Sequence, residues 1–145
     1  MAIDTTGRYW RSDDPADLGE YLRAYTEGEY PASVIKDSTC GACGGNVFQL
    51  RADRHEGAAR RTCSQCGTKE FIADSEEFWD EVTPRICTCP CKSRLFNLAV
   101  GFSLRETGEV RWVTVTQRCV HCGTLGSCVD WKIDAGDTAE LLQRA

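Results

Sequence analysis

The stretch Cys40-Gly-Ala-Cys43, followed after nineteen residues by Cys63-Ser-Gln-Cys66, decides the fold of this chain. Two residues between a pair of cysteines allow a tight turn that directs both sulfurs at one ion. Neighbouring glycines, such as Gly44 and Gly67, permit the backbone dihedral angles of such a turn. The spacing is typical of structural zinc sites with four thiolates, although iron also suits four sulfurs. The sequence therefore predicts a zinc site with the ligands Cys40, Cys43, Cys63 and Cys66.

A second cysteine cluster combines Cys87-Thr-Cys89-Pro-Cys91 with Cys119-Val-His-Cys122. Aligning the first cluster with the second places Cys43 on Cys91, which leaves Cys89 or Cys87 as the other upstream ligand. We favour Cys89 because Pro90 would stiffen a tight turn. Exchange among the three thiolates is a further alternative. The predicted ligands of this second zinc ion are Cys89, Cys91, Cys119 and Cys122, and the remaining cysteine and Cys128 are predicted to be ordinary thiols.

The two clusters belong to an internal repeat. Residues 43–50 align with 91–98, and residues 63–74 align with 119–130, so the second copy is eight residues longer between its cysteine pairs. In that copy, apolar side chains alternate along residues 96–104, as expected of a half-buried strand. A turn at 106–109 and a β-rich segment at 110–116 complete a predicted hairpin.

Two short helices are predicted outside the repeats. Asp14 and Pro15 are typical of a helix start, and an apolar stripe follows at Leu18, Tyr21, Leu22 and Tyr25, which we expect to dock on a repeat. Residues 74–81 are acidic and predict a second helix, with Asp74 or Ser75 as its cap. Trp79 and Trp131 are expected to pack the repeats or this link together, and residues 135–145 to fray.

The repeats resemble the zinc-ribbon superfamily, the rubredoxin-like modules found in transcription factors, ribosomal proteins and many bacterial proteins. The resemblance implies a mostly β fold of two tandem zinc ribbons, each with an antiparallel three-stranded sheet and one structural zinc ion. The high arginine count relative to lysine is typical of a GC-rich bacterial genome. The predicted domains are an N-terminal helical arm at 1–38, zinc ribbon 1 at 39–74, an acidic helical link at 75–84, zinc ribbon 2 at 85–133 and a C-terminal tail at 134–145.

A second resemblance concerns the second cluster alone. Cys89-x-Cys91 with Cys119-x-x-Cys122 is similar to the zinc centre of redox-regulated heat-shock chaperones, which lose zinc on oxidation. The resemblance implies a redox-sensing zinc switch at this site. The large chaperone domain of that family has no counterpart in this sequence.

The charge distribution gives only indirect information about a partner. The chain carries a net charge of -5, with acidic surplus in residues 1–39 and 67–86. This favours a protein-interaction adaptor or small regulator with a basic protein partner over a phosphate-binding protein. The alternative is a nucleic-acid-binding or transcription-associated protein, in which arginines of the hairpins and Trp112 would grip a single strand. Its candidate residues include Arg60, Arg61, Arg111 and Arg118.

The sequence predicts no catalytic residues. His55 falls at a predicted hairpin tip and His121 lies between two cysteines of the second cluster, where we expect an exposed residue rather than a ligand. Neither lies beside a plausible nucleophile, so we expect a protein that is not an enzyme. The N-terminus lacks a signal-peptide pattern and no apolar run is long enough to span a membrane, which predicts a cytoplasmic protein without membrane contact.

Overall fold

The computed structural model describes residues 3–28, 30–133 and 139–145. The helices within these ranges are α1 (Asp17–Thr26) and α2 (Ser75–Phe78), with 3-10 turns at Trp79–Glu81 and Ala139–Gln143. The strands are β1 (Val34–Asp37), β2 (Phe48–Asp53), β3 (Ala58–Cys63), β4 (Lys69–Phe71), β5 (Arg85–Ile86), β6 (Phe96–Leu104), β7 (Val110–Cys119) and β8 (Leu125–Lys132). Across this described part of the chain, no helix has the length and apolar character needed to cross a membrane.

All eight strands belong to one antiparallel sheet, whose order β4-β3-β2-β6-β7-β8 is symmetric about the β2–β6 junction. There Phe48 pairs with Phe96, and these residues occupy the same place in the two copies of the repeat. The mostly β prediction is confirmed, but instead of the expected separate three-stranded sheets the structure has one sheet of eight strands. The Phe48–Phe96 pair joins the inner edges of β2 and β6, and β5 and β1 cover other parts of these edges, which separate sheets would expose to solvent.

The two remaining strands cross between the halves of the sheet. β1 precedes the first cysteine pair but is hydrogen-bonded to β6, which follows the upstream cysteines of the second cluster. In the same way, β5 precedes the second cluster but pairs with β2. Each cysteine cluster is therefore approached by a strand that is anchored on the other half.

β6 is buried on both faces, whereas the alternating pattern had predicted a half-buried strand. One face, including Phe96, Leu98 and Val100, joins the main core. The other face is covered by α1, which packs so closely that a Cβ added at Gly101 would collide with Leu22. Side-chain size still alternates between the two faces of β6. Bulky side chains pack in the main core, and small residues lie against the helix.

The predicted N-terminal helix is present and begins at Asp17, two residues later than expected. Leu18 and Leu22 are fully buried against Ala99 and Leu125, which confirms that part of the apolar stripe docks on the sheet. Tyr25, the last residue of the stripe, is 51% exposed and does not enter this core.

The acidic link and the end of the chain pack on the sheet. α2 lies where the acidic pattern predicted a helix, and Trp131 Nε1 donates a hydrogen bond of 3.0 Å to the Asp74 carboxylate just before it. We expected residues 135–145 to fray; residues 134–138 lie outside the described ranges, but for 139–145 the expectation is wrong. The side chain of Leu141 is buried in the core, and Ala73 N–H donates to the Arg144 carbonyl at 2.8 Å.

Candidate metal centres

The first four predicted ligands come together in one cluster. The Sγ atoms of Cys40 and Cys66 are 3.6 Å apart, and those of Cys43 and Cys63 are 3.5 Å apart. All four sulfurs lie within 4.8 Å of one another. In a tetrahedral site with zinc–sulfur bonds of 2.3 Å, the sulfurs are about 3.8 Å apart. The cluster could therefore hold a metal ion of this size with little movement.

The second four predicted ligands form a matching cluster. Cys89 Sγ lies 3.5 Å from Cys122 Sγ, and Cys91 Sγ lies 3.6 Å from Cys119 Sγ. These four sulfurs also lie within 4.8 Å of one another. The close pairs correspond to those of the first cluster. In both clusters, the first upstream cysteine lies nearest the last downstream cysteine, and the second upstream cysteine lies nearest the first downstream one. The two clusters thus offer two equivalent metal-binding arrangements.

Tight turns present the sulfurs, and glycine makes three of the four turns possible. Gly44, Gly67 and Gly123 donate backbone hydrogen bonds to the carbonyls of Cys40, Cys63 and Cys119 at 2.8–3.0 Å. Their φ angles are 77°, 77° and 78°, in the left-handed region that residues with a Cβ rarely occupy. This confirms the expectation that glycine supplies the dihedral angles of these turns.

The fourth turn is one residue shorter and contains no glycine. Lys92 N–H donates to the Cys89 carbonyl at 2.8 Å, and Lys92 itself has a φ angle of 80°. Lys92 therefore takes the left-handed position that Gly44 takes in the first cluster. A side chain at this position costs about 1 kcal/mol of stability relative to glycine.

The strand register explains why Cys89 rather than Cys87 belongs to the second cluster. Cys87 N–H donates to the Leu50 carbonyl at 2.8 Å, just as Ser38 N–H donates to the Leu98 carbonyl at 2.9 Å. Leu50 and Leu98 are equivalent positions of the repeat, so Cys87 takes the place of Ser38. Two residues later, Cys89 takes the place of Cys40. The missing residue of the second copy thus lies inside the turn, after Cys89.

Cys87 and Cys128 form a disulfide, so the expectation that they are ordinary thiols is wrong. The bond joins the residue after β5 to β8. Each cysteine is two or more residues away from the nearest predicted ligand, and neither belongs to a four-sulfur cluster. The signal available in the sequence was arithmetic, because ten cysteines minus eight ligands leave one pair.

Threonine hydroxyls adjust the acidity of one thiol in each cluster. Thr68 Oγ1 lies 3.1 Å from Cys66 Sγ, and hydrogen bonds from the side chain and backbone of Thr68 lower the pKa of Cys66 to about 6. Burial opposes ionisation of Cys122, but hydrogen bonds from Thr124 outweigh it and lower its pKa to about 6. In the metal-free protein, these hydrogen bonds favour the thiolate forms of Cys66 and Cys122.

Other thiols of the clusters hold their protons more tightly. Burial, reinforced by hydrogen bonds among the sulfurs, raises the pKa of Cys89 to about 12. The backbone N–H of Gly45 favours the thiolate of Cys43. The contacts of Cys43 with the other three sulfurs, together with burial, outweigh this effect and raise the pKa of Cys43 to about 12. A metal ion that binds four thiolates must displace these protons.

Arg61 stabilises the segment that carries Cys40 of the first cluster. Its side chain is almost completely buried and forms an ion pair of 3.0 Å with Glu70. The same Glu70 oxygen accepts a hydrogen bond of 3.2 Å from Gly41 N–H in the first turn, and Arg61 also donates to the Thr39 carbonyl. Arg61 therefore connects β3 and β4 to the segment that carries Cys40.

The remaining candidate residues fall into two groups. Arg118 is buried and donates to the Ser12 carbonyl at 2.8 Å and to Asn97 Oδ1 at 3.0 Å, whereas the nucleic-acid alternative requires it to be accessible to a partner. His55 and His121 are both exposed, and the cysteine clusters contain neither. The structure therefore brings together the eight predicted cysteines in two clusters of four, and neither histidine belongs to a cluster.

Comparison with models of protein families, with curated proteins and with solved structures finds no match to this chain. The interpretation of the site rests on its own geometry, which is compatible with a zinc-ribbon-like arrangement.

Proposed function

We propose that the chain binds two zinc ions in structural sites and acts as a non-catalytic adaptor or regulator that contacts another protein in the cytoplasm. The observation that carries the proposal is the geometry of the two clusters, each with four sulfurs within 4.8 Å of one another. Four protein sulfurs leave no coordination position for water or a substrate, as is typical of structural zinc. Thiolate ligands also favour zinc over magnesium, calcium or manganese.

Zinc content tests this proposal directly. The protein is purified in reducing buffer, its mass is measured under native conditions, and its metals are identified by elemental analysis. We expect two zinc ions per chain. Fewer than two metal ions, or iron in place of zinc, would contradict the proposal. As a control, a strong chelator should remove both ions and the β signal in circular dichroism together, since structural zinc contributes on the order of 10 kcal/mol to folding.

The surface chemistry supports a protein partner over a nucleic acid. Acidic side chains are exposed on α2, including Glu76 and Glu77, and would meet a basic partner surface. Among the arginines of the nucleic-acid alternative, Arg61 is held by Glu70 and Arg60 stacks over Trp79 at 4.9 Å. Absence of binding to a single-stranded oligonucleotide at low salt would eliminate this alternative; salt-sensitive binding that Arg60→Ala weakens would support it.

A redox switch at the second cluster is the second candidate, and the disulfide beside that cluster favours it. Cys87, which is bonded to Cys128, lies only two residues before the proposed ligand Cys89. Oxidation of the Cys87 thiol to this disulfide would therefore change the short segment that also carries Cys89. Brief treatment with dilute hydrogen peroxide, followed by native mass spectrometry, tests this function. Selective loss of one zinc ion would support the switch, and retention of both would exclude it.

A further inference from the structure

A cavity of about 740 Å³ lies between the tip of the β2–β3 hairpin and the segment that leads into the second cluster. The hairpin tip contributes Arg54 and Glu56 to its wall, and the segment contributes Glu81, Arg85 and Cys87. Cavities of this size are typical of sites for small molecules. We call it the hairpin-tip cavity.

Hydrogen bonds fix the two walls of the hairpin-tip cavity relative to each other. Asp53, at the end of β2, is buried, and its carboxylate is shared between the walls. It accepts hydrogen bonds from the backbone N–H groups of His55 and Glu56 in the hairpin tip, and from that of Thr83 in the opposite wall, at 2.9–3.0 Å. A cavity formed in advance loses little affinity to ordering its walls when a ligand binds.

The disulfide between Cys87 and Cys128 lies at the wall of this cavity and is accessible from one end. Cys87 is partly exposed and lines the cavity, whereas Cys128 is 3% exposed and belongs to the main core. A thiolate that opens a disulfide must reach the sulfur that it attacks. A thiol in the cavity would therefore attack at Cys87, and Cys128 would be the leaving group.

The first half of the molecule shows that the fold does not need this disulfide. Ser38 takes the place of Cys87 in the strand register, and Ile72 aligns with Cys128 in the repeat. Both are almost fully buried. The equivalent strands form there without a cross-link. The disulfide is thus an addition in the second half, placed beside a cavity.

Charged side chains of both signs line the hairpin-tip cavity. Arg54 and Arg85 are exposed, and within the described ranges neither forms an ion pair. Glu81 is also exposed and, in the same part of the chain, forms none either. Arg85 precedes Cys87 by two residues, a spacing of about 7 Å along an extended segment, which a dipeptide can span. The walls therefore offer partners for both the carboxylate and the ammonium groups of a small peptide.

We propose that the hairpin-tip cavity binds a small peptide thiol with carboxylate and ammonium groups, and that this thiol forms a mixed disulfide with Cys87. The sulfur of the thiol bonds to Cys87 Sγ, and the Cys87–Cys128 bond breaks. The electron pair of that bond leaves with Cys128 Sγ, which takes up the proton that the thiol has lost. One disulfide replaces another, so the exchange needs no further oxidant or reductant. The released Cys128 thiol suits the core, because a buried cysteine behaves as a small apolar side chain.

Reaction of the parent protein with glutathione tests this inference. Protein freed of reductant, with its zinc content measured by native mass spectrometry, is treated with glutathione or with neutral 2-mercaptoethanol at equal thiolate concentration. Acid stops the reaction, and peptide masses locate the adduct. We expect a mixed disulfide on Cys87 and a free thiol at Cys128. Glutathione should react about tenfold faster, since two exposed ion pairs contribute about threefold each.

A pair of variants traps the adduct. In Cys128→Ser, Cys87 is a free thiol that glutathione disulfide should convert to the mixed disulfide, with release of one glutathione. The adduct should persist, because the displacing thiol of Cys128 is gone. In the matched control Cys87→Ser, the buried Cys128 should stay unmodified. If either variant fails to fold, the rates measured on the parent protein decide the inference.

Substitution of one arginine tests the recognition of the peptide thiol. Arg85→Gln should slow the reaction with glutathione about threefold and leave the reaction with 2-mercaptoethanol unchanged. Arg23→Gln is the matched control, because Arg23 is exposed on α1, outside the cavity. It should leave both rates unchanged.

Several outcomes would overturn the inference. These are attachment of glutathione to Cys128 instead of Cys87, absence of any adduct, equal rates with the two thiols, and an equal loss of rate in Arg85→Gln and Arg23→Gln. With two zinc ions retained, such a result leaves the proposed function intact. Fewer than two zinc ions would contradict the proposed function, and the position and rate of the adduct would still decide this inference.

Discussion

Replacing Cys89 or Cys87 by serine separates the two possible ligand assignments of the second cluster. Cys89 Sγ lies 3.5 Å from Cys122 Sγ inside the four-sulfur set, whereas Cys87 is bonded to Cys128 outside it. Cys89→Ser leaves three sulfurs and a hydroxyl, which is a poor zinc ligand. Cys87→Ser leaves all four sulfurs in place. The same chemical change two residues apart should therefore have different effects on metal content.

The structure sets the expected magnitudes. Loss of a residue that only orients a metal ligand lowers metal affinity by up to about a hundredfold, or roughly 3 kcal/mol. Loss of the ligand itself should lower zinc affinity at least as much. Cys87→Ser removes a disulfide that spans 41 residues of sequence. The loop-entropy model gives up to about 4 kcal/mol of unfolding free energy for a loop of this length. That loss applies only under oxidising conditions, since a reductant opens the bond in the parent protein.

Competition of each protein with a chromogenic zinc chelator, followed by native mass spectrometry, measures the first effect. Urea unfolding with and without a reductant measures the second. We expect one tightly bound zinc ion in Cys89→Ser and two in Cys87→Ser, and a stability loss in Cys87→Ser only without the reductant. Two tightly bound zinc ions in Cys89→Ser together with one in Cys87→Ser would refute the register argument.

Three further predictions concern the clusters and their supports. The pKa of Cys43 and of Cys89 is raised to about 12, so zinc binding must displace their protons, and the apparent zinc affinity should fall as the pH falls. Calorimetry in buffers of different ionisation enthalpy would detect the released protons. A zinc affinity that does not change with pH would contradict this prediction. Arg61→Ala should lower the unfolding free energy by about 3 kcal/mol in urea titrations, more than Glu70→Gln, because it removes the hydrogen bonds to the Thr39 and Ala145 carbonyls as well as the ion pair with the half-buried Glu70. Lys92→Gly should raise it by about 1 kcal/mol because Lys92 has a φ angle of 80°, and an unchanged midpoint would mean that the turn is not strained.

The sequence predicted the cysteine clusters well because their geometry is local. A turn of four or five residues is determined by its own cysteines and by glycines such as Gly44 and Gly67, and the spacing of such turns is visible in the chain. The hairpin at 96–116 was predicted for the same reason, since alternating apolar residues and a turn at 106–109 lie next to each other.

Features that depend on distant segments could not be predicted. β1 and β5 are four and two residues long, and only their pairing across the sheet makes them strands. The two-sided burial of β6 requires α1, which precedes it by some seventy residues. The nucleic-acid alternative counted Arg61 among the residues that contact a partner, because nothing near it in sequence shows that its side chain will be buried and paired with Glu70.

The crossing of β1 and β5 has a further consequence for how such a molecule could have arisen. The arrangement is what would result if two subunits of a homodimer exchanged their first strands and were then joined into one chain at the acidic link. In a dimer of this kind, identical edges meet at an axis, as Phe48 and Phe96 do. Fusion frees each half from keeping an identical surface. One half could then acquire an extra disulfide and a longer hairpin while the other kept the shorter form.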